Sequence, residues 1–164
     1  MREIIFKGKR KDNGEWIEGS LITSINRAWI SSEKTDSQRL RSISNTNAIW
    51  RSIEIIPDTI CQFTGLYDKY GNKIWENDIL MCHENPEDLV KVAFGEFGVR
   101  DIETGSIVDK AIGWYYEVVQ TDVIIRCEPF CWSMPLNKYY IDRCEMKVVG
   151  NIFDNKELLQ EETE

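Results

Sequence analysis

The chain has one histidine, four prolines and no apolar run near the roughly 18 residues of a membrane-spanning helix. With His83 as the sole imidazole, any Ser-His-Asp or Cys-His centre has to be built on it, and the residues around it offer no further sign of one. Glycine loops of the Walker or dinucleotide type are missing. Gly95-Glu96-Phe97-Gly98 is too short and no helical pattern follows it. The five cysteines, Cys61, Cys82, Cys127, Cys131 and Cys144, contain no Cys-x-x-Cys. A zinc site from Cys82, His83, Cys127 and Cys131 has the wrong spacing, with Pro129 between the last two cysteines. An odd cysteine number reads as buried thiols. In the segment Met1 to Gly14 only Ile4-Ile5-Phe6 is apolar, which is unlike a secretory signal. A reducing cytoplasm is the expected compartment, with no cofactor, no metal and no membrane partner.

The chain does have aromatic residues and charge. Six Trp, six Tyr and six Phe supply a core and favour strands. A hydrophobic fraction of 42% in 164 residues suits one folded domain or two small ones and excludes a disordered chain. The net charge of −8 is unevenly spread. Residues 1–51 carry ten Lys/Arg against six Asp/Glu, a balance of +4, and residues 52–164 carry ten against twenty-two, or −12. That asymmetry suits head-to-tail contact between copies, or nucleic-acid contact by the N-terminal part alone.

Along the chain, Ile4-Ile5-Phe6 and Glu15 to Thr23 read as an N-terminal hairpin with Lys7, Lys9, Arg10 and Lys11 at its tip. Residues 31–47 are rich in Ser, Thr, Asn and Gln, include Arg39 and Arg41, and read as a long loop. Gln62 to Met81 is the organising stretch: two strands around Asp68-Lys69-Tyr70-Gly71. Asp at the first turn position accepts from downstream N–H groups, and Gly takes positive φ without a Cβ clash. Leu89 to Phe94, Gly113 to Val119 and Asp122 to Arg126 read as strands, with a bend at Gly95–Gly98. Residues 127–141 read as an irregular packed loop. Cys144, Met146 and Val148 alternate as on a half-buried strand, and Asp154 with Glu157 forms a capping box opening a short helix. The fold class is mainly β, α+β only at the margins. The strands between Asp78 and Ile152 suit a small SH3-like barrel.

Gln62-Phe63-Thr64-Gly65-Leu66, then Asp68, Gly71, Ile74, Glu76, Asp78 and Ile79, resemble the YopX family of phage and prophage proteins. Val149-Gly150-Asn151-Ile152-Phe153 with Asn155, Glu157, Leu158 and Leu159 forms a second match. Ile4 to Lys7 and Gly14 to Gly19 resemble the family's opening. Two positions depart from the pattern: Asn77 for a usual Gly, and Lys156 for a usual Pro. Asn tolerates the left-handed region, so a turn there survives. The resemblance implies two small β subdomains, residues 1–77 with the central hairpin and residues 78–153, then a short helix and acidic tail over 154–164. It implies a phage-encoded protein with no established activity and structural roles for Gly65, Asp68 and Gly71.

The functional expectation is a binding or assembly protein in the bacterial host cytoplasm. Its partner is a second copy of itself, through contacts weakened by salt, or a host or phage protein. A second reading is nucleic-acid binding through Lys7, Lys9, Arg10, Lys11, Arg39 and Arg41, with Trp16 or Trp29 for stacking. A third is a small hydrolase holding Mg²⁺ between Glu76 and Asp78, placed on one strand face at i, i+2. Against it stands the ordinary role of such acids at strand ends, bonding backbone amides.

Overall fold

The computed structural model describes residues 4–31, 52–101, 103–119 and 132–159. The strands are β1 (Phe6–Lys9), β2 (Trp16–Ser24), β3 (Arg27–Ser31), β4 (Ile53–Ile55), β5 (Cys61–Tyr67), β6 (Lys73–Trp75), β7 (Asp78–Met81), β8 (Leu89–Arg100), β9 (Ile107–Val118), β10 (Met134–Pro135) and β11 (Lys147–Asn151). One α-helix, α1 (Lys138–Arg143), and single 3₁₀ turns at Pro57–Thr59 and Lys156–Leu159 complete the described elements. The chain divides into two compact units, residues 1–63 and 64–164, and the division falls inside β5.

In the first unit the strand order is β4-β3-β2-β1-β5, all antiparallel. Period-two alternation along these strands decides which side is buried. Ala28, Ile30 and Ile55 form the core, with Ile17, Leu21 and Ile60 packed against it. β2 and β3 approach so closely at Gly19 that a Cβ there would stand 2.2 Å from the Ser31 carbonyl oxygen. Any side chain at that position forces the two backbones apart. The buried Thr59 hydroxyl accepts from Lys9 N–H at 2.9 Å, tying the 3₁₀ turn to β1.

In the second unit β6 lies beside β5, and a five-stranded sheet runs β10-β9-β8-β7-β11. Ile74, Leu80, Val92, Tyr116, Ile141 and Met146 are buried at its centre. Each such aliphatic side chain contributes roughly 1.5–3 kcal/mol through burial. The described pairings form an open sheet; β10 and β11 are its two ends, and no pairing between them closes a barrel.

Several elements differ from expectation. Gly95 and Gly98 do not break the chain, because β8 runs through both, paired with β9 from Val90↔Val118 to Arg100↔Ile107. Phe97 stacks on Tyr115 at 5.3 Å between centroids and holds this glycine-containing stretch extended. Within the expected loop 127–141, the structure has β10 and the start of α1. The helix begins because the Asn137 side chain accepts from Tyr140 N–H at 3.0 Å, an N-cap. Cys144 and Met146 precede β11: Cys144 caps α1, and Glu145 takes φ 49° between them. Both are buried from this turn rather than from a strand. The expected C-terminal helix is, in the described residues, one 3₁₀ turn. The Asn151 carboxamide oxygen organises the bend before it, accepting from the N–H groups of Phe153 and Asp154 at 3.0 Å each. Residues 32–51, the Asp122–Arg126 strand, Cys127, Cys131 and the acidic tail 160–164 lie outside the described residues.

Candidate functional site

The β5–β6 hairpin forms as its turn chemistry requires. Gly71 takes φ 84° and Gly65, inside β5, also takes φ 84°. Asp68, with 4% of its surface exposed, accepts four hydrogen bonds. Oδ1 receives the N–H groups of Tyr70 (2.9 Å) and Asn72 (2.8 Å), and Oδ2 receives Asn72 Nδ2 (2.9 Å) and Val148 N–H (3.1 Å). Burial alone would raise its pKa, but the donors outweigh burial and hold the carboxyl below its ordinary value. The residue therefore closes its own turn and fastens that turn to β11.

The unburied face of the first unit carries Lys7 and Lys9 from β1, Trp16, Glu18, Ser20 and Ile22 from β2, and Arg27 and Trp29 from β3. Lys7 Nζ and Lys9 Nζ stand 5.0 and 5.5 Å from the centre of the Trp16 ring, and the Arg27 guanidinium 4.9 Å from that of Trp29. Of the expected cations that lie among the described residues, Lys7 and Lys9 come to this face beside an indole. Arg10 pairs with Asp12 at 2.6 Å, and Lys11 with Glu54 at 3.0 Å. Arg39 and Arg41 lie outside the described residues. Arg27, absent from the expected set, binds Glu54 through two nitrogens at 3.0 and 2.8 Å. Hydrogen bonds from Arg27 and then Lys11 pull the Glu54 pKa down to about 2. Register revealed Arg27. Its sequence signal was the period-two spacing from Trp29.

The second unit exposes a ribbon. β7 pairs with β8 only over Leu89–Lys91, and β10 with β9 only over Tyr115–Tyr116. Among the described residues, 94–100 and 107–114 therefore pair only with each other. One side of the ribbon presents Phe94 and Ile112, exposed by 54% and 75%. The Glu96–Lys110 ion pair, 2.7 Å, lies beside them. The chemistry nearer the sheet is different: a cleft of about 310 Å³ is lined by Phe97, Arg100, Tyr115, Glu117 and Ser133. There Tyr115 O–H donates to Glu117 at 2.9 Å, and Lys91 pairs with the same carboxylate at 2.6 Å. Burial would raise the Glu117 pKa, but these two donors keep it below the ordinary carboxylate value.

The family model described as YopX protein matches residues 5–160. The chain belongs to the YopX family. No curated protein matches it significantly. The family match also spans residues 24–50 and 96–140, outside the motifs quoted above.

Asn77, where the family pattern usually has Gly, takes φ 64° in the turn joining β6 to β7. The left-handed conformation that glycine supplies elsewhere is thus kept by asparagine. Lys156, where the pattern usually has Pro, opens the 3₁₀ turn.

Glu76 and Asp78 do not share a strand face. Glu76 sits in the β6–β7 turn; Asp78, 1% exposed, opens β7 and its Oδ2 accepts Trp75 N–H at 2.8 Å. His83 is not on a strand either. It and Glu84 take φ 53° and 56° in the turn after β7, and His83 Nδ1 lies 3.7 Å from Asp88. Among the described residues no three His, Cys, Asp or Glu side chains gather to hold a metal ion. Cys61, Cys82 and Cys144 are buried thiols. Burial, then the neighbouring Cys144 and Asp88, pushes the Cys82 thiol up to about 12.

Proposed function

We propose that this chain is a phage- or prophage-encoded binding protein of the bacterial cytoplasm, without catalytic activity, that assembles with copies of itself. The observation that carries this is the outer part of the β8–β9 ribbon, where residues 94–100 and 107–114 have no third strand among the described residues and Phe94 and Ile112 stand exposed on one face. A two-stranded ribbon is marginal in water, and clustered exposed apolar residues mark interfaces.

A second copy suits the ribbon because the face is self-complementary. Phe94 and Ile112 flank one acid and one base, Glu96 and Lys110. A two-fold related copy presents Lys110 to Glu96 and apolar surface to apolar surface. Contact of this kind resists salt, whereas contact between the positive and negative parts of two chains is screened by it. Sedimentation equilibrium at low and high salt tests the proposal. A dimer or larger species persisting in high salt supports the ribbon. Dissociation by salt assigns assembly to the charge asymmetry instead, and a monomer throughout removes the proposal.

A further inference from the structure

We propose that the outer face of the first unit is a binding site for single-stranded nucleic acid, with Trp16 and Trp29 as stacking platforms and Lys7 and Lys9 as the phosphate contacts. This face belongs to the first unit and the ribbon to the second.

The alternation of β1, β2 and β3 sends two indoles and three cations to the same side of the sheet, opposite the Ala28–Ile30–Ile55 core. Each indole has its cation within 5.5 Å of the ring centre: Lys7 and Lys9 at Trp16, and Arg27 at Trp29. Base stacking needs an aromatic face, and phosphate capture needs a cation within a few ångströms of it. Both are present at Trp16; at Trp29 the cation is Arg27, which its two bonds to Glu54 hold beside the ring. The lysine stems are flexible enough to swing the ammonium from ring to phosphate while a base takes the ring.

The spacing selects a polymer. Trp29 is opposite Ile22, and Ile22 lies further along β2 from Trp16 on the same face. At about 3.3 Å per residue the two platforms are roughly 20 Å apart. A mononucleotide reaches one of them; an extended strand reaches both. Between them the face offers the hydroxyls of Ser20 and Ser31, and the carboxylate of Glu18 opposite Lys7. Glu18 and Glu54 limit the number of phosphates held, so binding is of modest salt dependence, near a slope of about −1.4 for two phosphates on a single strand. A duplex keeps its bases stacked on each other and leaves the indoles unused.

Charge favours the same unit. Residues 1–63 hold ten Lys/Arg against eight Asp/Glu, and residues 64–164 hold ten against twenty, so a polyanion is repelled by the second unit and admitted only by the first.

The test is fluorescence anisotropy of the full chain with labelled oligo(dT) and oligo(U) of about 16 nucleotides, a duplex of equal length, and heparin as competitor. Single strands are expected to bind more tightly than the duplex. W16L should weaken binding about tenfold, and K7Q/K9Q should flatten the salt dependence. K138Q and K156Q, on the second unit, should leave binding unchanged. The two oligonucleotides distinguish DNA from RNA as the strand preferred. If W16L loses its native circular dichroism, W29L and the lysine pair carry the same comparison. Absence of binding at low salt overturns the proposal. So does a duplex or heparin binding as well as the single strands with W16L unaffected, because that is loose polyanion attraction without stacking.

Discussion

Asp68 Oδ2 accepts the backbone N–H of Val148 at 3.1 Å, across 80 residues of sequence. One buried carboxylate thereby closes the β5–β6 turn and joins it to β11. Asp68→Asn keeps the shape and removes the charge that strengthens all four bonds. The expected loss is about 2–3 kcal/mol of unfolding free energy, since hydrogen bonds to charged groups are worth about 1.5–3 kcal/mol each and the amide retains part of them. Urea titration of both proteins measures it. A change within about 0.5 kcal/mol, as for an ordinary surface substitution, would contradict the role given to Asp68.

The same residue predicts an acid dependence. Its folded pKa lies below its ordinary value of 3.8. A group depressed in the folded state contributes stability above its unfolded pKa, and this is lost as pH falls through the folded value. The difference in stability between wild type and D68N should therefore be constant near neutral pH and shrink below pH 3.8. A difference that grows on acidification would reverse the sign and refute the assignment.

Backbone geometry separates two turn positions. Gly71, at φ 84°, has open space where a Cβ would stand, so Gly71→Ala costs only the left-handed penalty, about 1–2 kcal/mol. Asn77, at φ 64°, already bears that strain. Asn77→Gly should hold or raise stability, while Asn77→Ala should lower it by about 1 kcal/mol. Thermal unfolding of the three variants checks the order.

Burial makes the described thiols inert. Cys61, Cys82 and Cys144 should resist iodoacetamide in the native protein and react after denaturation, as read by peptide mass spectrometry. Cys82, raised from 9.0 to about 12, stabilises the fold as a neutral thiol. That contribution is complete below pH 9.0 and is lost as pH rises toward about 12. Rapid native labelling of Cys82 at neutral pH would show that the core opens there.

Local chemistry was legible in the sequence, and long-range chemistry was not. The Asp68-to-Gly71 turn was readable because its donors lie within four residues of the acceptor. The bond to Val148 depends on how β11 arrives, which no local pattern encodes. Gly95 and Gly98 suggested a bend, yet cross-strand packing of Phe97 on Tyr115 overrode their weak strand preference. The short α1 was hidden among aromatics and prolines, although Asn137 as a cap and the Lys138–Asp142 pair at i, i+4 were there to be read. The basic N-terminal residues were visible as a cluster. Only the structure showed that Arg10 pairs with Asp12 and Lys11 with Glu54, and that Lys7 and Lys9 lie beside Trp16.

The proposal that this protein works by association is tested most directly by light scattering of the wild type and of Ile112→Lys, which places a charge at the most exposed apolar position of the ribbon. The expected result is a wild-type mass at a multiple of 19.2 kDa and a variant at 19.2 kDa with unchanged thermal stability. A wild type that stays at 19.2 kDa at high concentration, or a variant that assembles as well as the wild type, would contradict it.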